Sequence, residues 1–144
     1  MNGGGRRLDL TAMPSRRSRI DPLGRTVALE LAAGRLAIGA GTLFATRPAL
    51  RALGFAETDA SGKALGKVAG ARDLALGSLT VAVRGDREAL RTVTLVAAAL
   101  DAADTVAFAL AARDPETRRS GLGGLLSAGI AVGAGLWAWR RLGG

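Results

Sequence analysis

The sequence predicts an all-α fold, a four-helix transmembrane bundle in up-down antiparallel order with both termini cytoplasmic. Three observations lead there. Four apolar segments of 21, 20, 21 and 19 residues occupy 26–46, 64–83, 92–112 and 121–139, each close to the roughly 20 residues that cross about 30 Å of hydrocarbon. The polar links between them span only 17, 8 and 8 residues, which favours neighbouring helices running in opposite directions. Glycine supplies 21 of the 144 residues. In a soluble bundle each interior Gly costs about 1 kcal/mol against Ala, whereas in a membrane close backbone approach replaces hydrophobic drive between helices.

Residues 1–22, MNGGGRRLDLTAMPSRRSRIDP, are rich in Gly, Arg and Ser and lack an apolar period; they read as a disordered basic tail before a four-span domain at 23–144. SRRSRI has a twin-arginine look, but Arg19 stands where that signal wants an apolar residue and no small-residue cleavage site follows. The stretch reads as a basic flank on the cytoplasmic side.

The first span, TVALELAAGRLAIGAGTLFAT, carries Arg35 one residue from its centre, on a face shared with Ala28, Ala32, Gly39 and Thr42. The second, ALGKVAGARDLALGSLTVAV, has Arg72 and Asp73 at its centre, and Gly66, Gly70, Asp73 and Gly77 recur at spacings of four, three and four. Asp73 therefore lies on a seam of small residues that admits a neighbouring backbone, while the charges make this span a poor inserter alone. In the third, TVTLVAAALDAADTVAFALAA, Asp101 and Asp104 are three apart and share a face with Thr94, Ala97 and Phe108. The fourth, GLGGLLSAGIAVGAGLWAW, is uncharged and ends in Trp137 and Trp139 followed by Arg140 and Arg141, an interfacial aromatic anchor with a basic flank. Its Gly129 and Gly133 form a small-xxx-small pair, which reads as a packing contact within the bundle ahead of a dimer contact. Outside the spans, eleven basic residues fall on the side of the termini and six on the other, which places both termini in the cytoplasm.

At 1.5 Å rise per residue, Arg35, Arg72, Asp73, Asp101 and Asp104 all lie within about 3 Å of the midplane. Five unpaired charges there would cost about 12–18 kcal/mol, so mutual pairing inside the bundle is the expected solution. Arg72 and Asp73 point about 100° apart, which assigns Asp73 to Arg35 and Arg72 to either Asp101 or Asp104. Two cations and three carboxylates leave one carboxyl to hold a proton. A static network and a proton relay both fit that count. Lys67 and Glu30, nearer the span ends, reach toward polar regions and receive no role.

Cys and His are absent, which excludes disulfides, thiol and imidazole catalysis, and His/Cys metal sites. No metal ligand set, cofactor motif, phosphate loop or nucleophile with its base is present. The net charge of +8 is concentrated partly in the tail, with six of twenty basic residues before residue 26 and no aromatic interleaving, so nucleic acid is not the expected partner. The partners expected are the lipid bilayer and either a second copy or another membrane protein.

GRLAIGAG followed by Pro48, GARDLALG at 70–77, and LDAADTV in the third span resemble an uncharacterised family of small bacterial membrane proteins of about four helices, a domain of unknown function. The resemblance covers roughly residues 30–140, and the Arg-rich tail lies outside it. It implies an integral protein of the bacterial inner membrane and transfers no catalytic residue. From the residues and the resemblance together, the leading expectation is a structural or accessory membrane protein. A small oligomeric proton-coupled transporter or channel using Asp101 and Asp104 is the alternative, and a membrane enzyme is third. A soluble Ala-rich bundle is the remaining non-membrane reading.

Overall fold

The computed structural model describes residues 20–55 and 59–144. These form five helices: α1 (Pro22–Phe44), α2 (Thr46–Ala52), α3 (Ala60–Ala82), α4 (Arg87–Ala111) and α5 (Arg118–Gly143). The described residues contain no strand. Residues 1–19 of the expected tail lie outside the described residues, but its last residues are structured. Ile20 packs against the core. The Asp21 carboxylate accepts from the backbone N–H of Leu23 and Gly24 at 2.8 and 3.0 Å, with Pro22 preorganising the first turn of α1.

Aspartates start two further helices. Asp59 accepts from Gly62 N–H at 2.7 Å, and Asp86 accepts from Glu88 and Ala89 N–H, both at 3.0 Å. The cap at Asp86 starts α4 five residues before the apolar segment begins, and α5 extends beyond its apolar segment at both ends. A helix can continue past an apolar stretch because its backbone bonds need no apolar side chains. The link after α1, read as polar and irregular from sequence, contains the additional helix α2. The turn after α2 holds Gly54, whose φ of +93° is strained for any residue with a Cβ.

Of the five helices, α1, α4 and α5 are long and apolar enough to cross a membrane. Helix α3 is not among them, because Lys67, Arg72 and Asp73 dilute its short apolar side chains.

Close packing runs through small residues. A Cβ built on Gly39 of α1 would stand 2.6 Å from the carbonyl oxygen of Gly70, and one on Gly77 would stand 2.8 Å from Leu36 Cγ; Gly70 itself lies against Thr42. Gly66 takes Leu50 of α2 at 3.1 Å. These positions let α1 and α3 approach backbone to backbone. Helix α4 packs on α5 in the same way, Gly121 against Ala112, Gly124 against Phe108 and Gly135 against Ala98. Gly24 joins α1 to α5 beside Ala138, Arg141 and Leu142. Gly129 and Gly133, expected to pack within the bundle, instead have nothing within 4 Å of a built Cβ. The face of α5 turned toward α4 carries Gly121, Gly124, Ala128 and Gly135, and Gly129 and Gly133 point away from it.

Among the described residues, a fully buried apolar core lies at the end holding the start of α1, the start of α4 and the end of α5. Ala28, Leu90, Ala138 and Leu142 form it, each at most 2% exposed. Helices α3 and α4 follow one another through the short turn at 83–86 yet contact each other far less than α1 contacts α3 or α4 contacts α5. Between them the chain leaves room, and the charged residues occupy the edge of that room.

Candidate functional site: an Arg/Asp cluster at the edge of a cavity

Arg35, Arg72, Asp73, Asp101 and Asp104 meet in one cluster. Gly39 and Gly70 hold α1 and α3 close, and Ala97 and Ala98 keep the facing side of α4 slim. The Arg35 side chain can therefore reach between the two helices. Its Nη1 donates to Asp73 Oδ1 at 3.2 Å. Its Nη2 donates to Asp101 Oδ2 and to the Ala97 carbonyl, the latter at 3.4 Å. One guanidinium thus ties α1 to both α3 and α4.

Arg72 forms the second centre. Its Nη1 and Nη2 donate to Asp104 Oδ1 and Oδ2 at 3.0 and 2.6 Å, the parallel two-bond geometry in which Arg recognises a carboxylate most strongly. Nη2 also lies 3.5 Å from Asp73 Oδ1, while Nε is buried without a hydrogen-bond partner. The sequence left Asp101 and Asp104 as equal candidates for Arg72; in the structure Asp104 takes Arg72 and Asp101 takes Arg35. One-to-one pairing overlooks that a guanidinium with five donors can bridge two acids.

Burial grades across the cluster. Arg35 and Asp101 side chains are each 10% exposed and Asp73 14%, whereas Arg72 and Asp104 are 32% and 31% exposed. Asp104 has both oxygens engaged. Asp73 and Asp101 each use one oxygen, and the other accepts no hydrogen bond among the described residues.

A cavity of about 510 Å³ opens onto this cluster. Its lining draws on every helix, from Arg35 and Ile38 of α1 and Leu50 of α2 to Leu65 of α3, Phe108 of α4 and Ala131 of α5. Phe108 was legible as sharing the face of Asp101 and Asp104. Glu30, left without a role in the sequence, also lines the cavity, as do Leu53 and Phe55 from the link. The signal missed was the apolar spacing of Leu50, Leu53 and Phe55 within a link that reads as polar overall. On the opposite side of Arg35 and Asp101 the space shrinks to a void of about 10 Å³ beside Thr80 and Thr94, about the size of one water. Thr80 and Thr94 donate to the carbonyls of Leu76 and Leu90 in their own helices.

Lys67 is exposed on α3. Trp139 lies under the Arg91 guanidinium at 4.8 Å and Trp137 beside that of Arg141 at 5.3 Å, so both indoles sit among cations at one end of α5. Among the described residues no group of three or more acidic side chains is arranged to hold a metal ion.

The family described as a domain of unknown function (DUF4267) matches residues 32–140, and the chain belongs to it. The matched region contains the whole charge cluster. No curated protein and no solved structure matches the chain.

Proposed function

We propose that this member of the family is a four-span integral protein of the bacterial inner membrane, in which the Arg/Asp cluster holds a weakly apolar span in place. Helices α1, α3, α4 and α5 are the spans, arranged up and down with both termini cytoplasmic, and the role is structural or accessory. The observation that carries this reading is Arg35 of α1 bridging Asp73 of α3 and Asp101 of α4. Helix α3 lacks the apolarity to insert alone; paired to α1 through Asp73 and to α4 through Arg72, its central charges lose most of their insertion cost. Leu65, Val68, Val106, Leu110, Leu126 and Ile130 are each more than half exposed, an apolar exterior suited to lipid and adverse in water.

Two measurements test it. The protein should stay in the membrane through alkaline carbonate extraction; release without detergent would refute the reading. Because the chain has no Cys, single substitutions Gly85→Cys and Glu116→Cys report topology directly. Gly85 should label only from the cytoplasmic side and Glu116 only from the other.

A second reading is favoured by the cavity that reaches Asp101 and Asp104: a small carrier, oligomeric in the membrane, that uses these acids to couple substrate to protons. Asp101→Asn and Asp104→Asn separate the two. A carrier loses transport while remaining folded, whereas a purely structural network loses stability in detergent.

A further inference from the structure

The large cavity joins two chemistries that a purely structural network does not require together. Its volume of about 510 Å³ lies in the range that encloses a small organic molecule. Ile38, Leu50, Leu53, Phe55, Leu65 and Phe108 furnish apolar walls. The charged residues lining it are Arg35 and Arg72 against Glu30, Asp73, Asp101 and Asp104, two cations facing four carboxylates.

The distribution of hydrogen bonds locates the excess. Asp104 is engaged at both oxygens by Arg72. Asp73 and Asp101 are joined through Arg35, and each keeps one oxygen without a hydrogen bond among the described residues. The Asp101 side chain is nine-tenths buried, yet its free oxygen is not among the fully enclosed unpartnered atoms of the described residues, so it is open to an occupant of the cavity that Asp101 lines. A carboxylate oxygen in such a place gains most from a positive partner.

We infer that this cavity binds a lipophilic monocation, a quaternary or protonated amine or its phosphonium equivalent. The positive centre faces Asp73 and Asp101, and its carbon substituents cover the apolar walls. Phe55 and Phe108 add aromatic rings to the lining, and such rings attract an onium group. An anion is disfavoured because four carboxylates line the cavity against two guanidiniums, each of which already faces two of those acids. A small inorganic cation prefers six or more oxygen ligands, and only two carboxylate oxygens are free at the cluster. A neutral apolar occupant would make no use of the two free carboxylate oxygens. The inference uses the cavity that supports the carrier reading and adds the class of cargo, but binding requires no transport.

The test is equilibrium dialysis of the full chain in a non-ionic detergent with two probes of equal shape and opposite charge, tetraphenylphosphonium and tetraphenylborate. The phosphonium should bind saturably and at least tenfold more tightly than the borate. Gly34 lines the cavity, and a Cβ there meets nothing within 4 Å. Gly34→Leu therefore adds bulk at the cavity lining from a Cβ that meets no neighbour and should weaken phosphonium binding at least tenfold. Gly129→Leu, equally unobstructed but outside the cavity, should leave it unchanged. Asp101→Asn should also weaken it tenfold or more where the variant folds. Equal affinity for the two probes, no phosphonium binding, or insensitivity to Gly34→Leu would overturn the inference. Carbonate extraction judges the membrane reading separately, so the two can fail independently.

Discussion

Arg72 and Asp104 face one another through two parallel hydrogen bonds of 3.0 and 2.6 Å, joining α3 to α4 where the two helices otherwise touch little. This pair is the more exposed half of the cluster, each side chain about a third accessible. Its removal should therefore be felt less than removal of the Arg35 half. A double-mutant cycle of Arg72→Gln with Asp104→Asn, read from denaturation in detergent, should give a coupling of about 1–2 kcal/mol. The same cycle with Asp101→Asn should give a clearly smaller value. Equal couplings would mean that the two acids share Arg72.

Arg35 is the position where a single change should do most harm. Its side chain is 10% exposed and serves two carboxylates on two helices. Arg35→Met leaves Asp101 without a cation and Asp73 with only its 3.5 Å contact to Arg72, and breaking a buried pair in this way costs about 3–5 kcal/mol. Adding Asp73→Asn and Asp101→Asn to Arg35→Met removes the stranded charges and should recover a large part of the loss. Thermal denaturation of the three proteins, unsubstituted, Arg35→Met and triple, in one detergent measures both steps. A triple variant no better than Arg35→Met would show that the acids do not depend on Arg35 for their compensation.

Much of this cluster was legible in the sequence because helices have a fixed rise. Arg35, Asp73 and Asp101 stand near the centres of segments of similar length, so a single depth follows from counting. The face of Asp73 followed likewise from the spacing of Gly66, Gly70 and Gly77. Four things were not legible. A count of charges carries no information on how one guanidinium divides between Asp73 and Asp101. Helix α2 was hidden because seven residues are too few for a clear apolar period. Gly129 and Gly133 have the spacing of a packing pair but the wrong azimuth: which side of α5 meets α4 depends on Ala98 and Phe108, residues of another helix. The cavity was hidden for the same reason, since it exists where α3 and α4 stand apart, and a short turn between helices does not reveal that.

The azimuth of these glycines gives a direct comparison. At Gly39 a Cβ would stand 2.6 Å from the carbonyl oxygen of Gly70, a backbone atom with little freedom to yield. Gly39→Ala should force α1 and α3 apart and cost about 1–3 kcal/mol. At Gly133 nothing lies within 4 Å, so Gly133→Ala should be neutral or gain up to about 1 kcal/mol from helix propensity. Melting temperatures of the two variants in detergent should move in different directions or by clearly different amounts. A large loss at Gly133 would indicate a contact supplied by another chain.

The indoles offer a measurement of depth. Trp137 and Trp139 are the chain's two tryptophans, and it has no tyrosine, so ultraviolet emission reports on one end of α5. There Trp139 stacks under Arg91 and Trp137 sits beside Arg141, with Arg140 adjoining. A ring with an apolar body among guanidiniums is at home where acyl chains meet headgroups, and is misplaced both at the bilayer centre and in bulk water. In vesicles containing brominated lipids, emission should be quenched most by bromines close to the acyl carbonyls and least by bromines at the chain ends. Stronger quenching from the chain ends would place this terminus of α5 deep in the bilayer and contradict the span assigned to it. Absence of quenching by any bromine would place the indoles outside lipid and refute the anchor role of both residues.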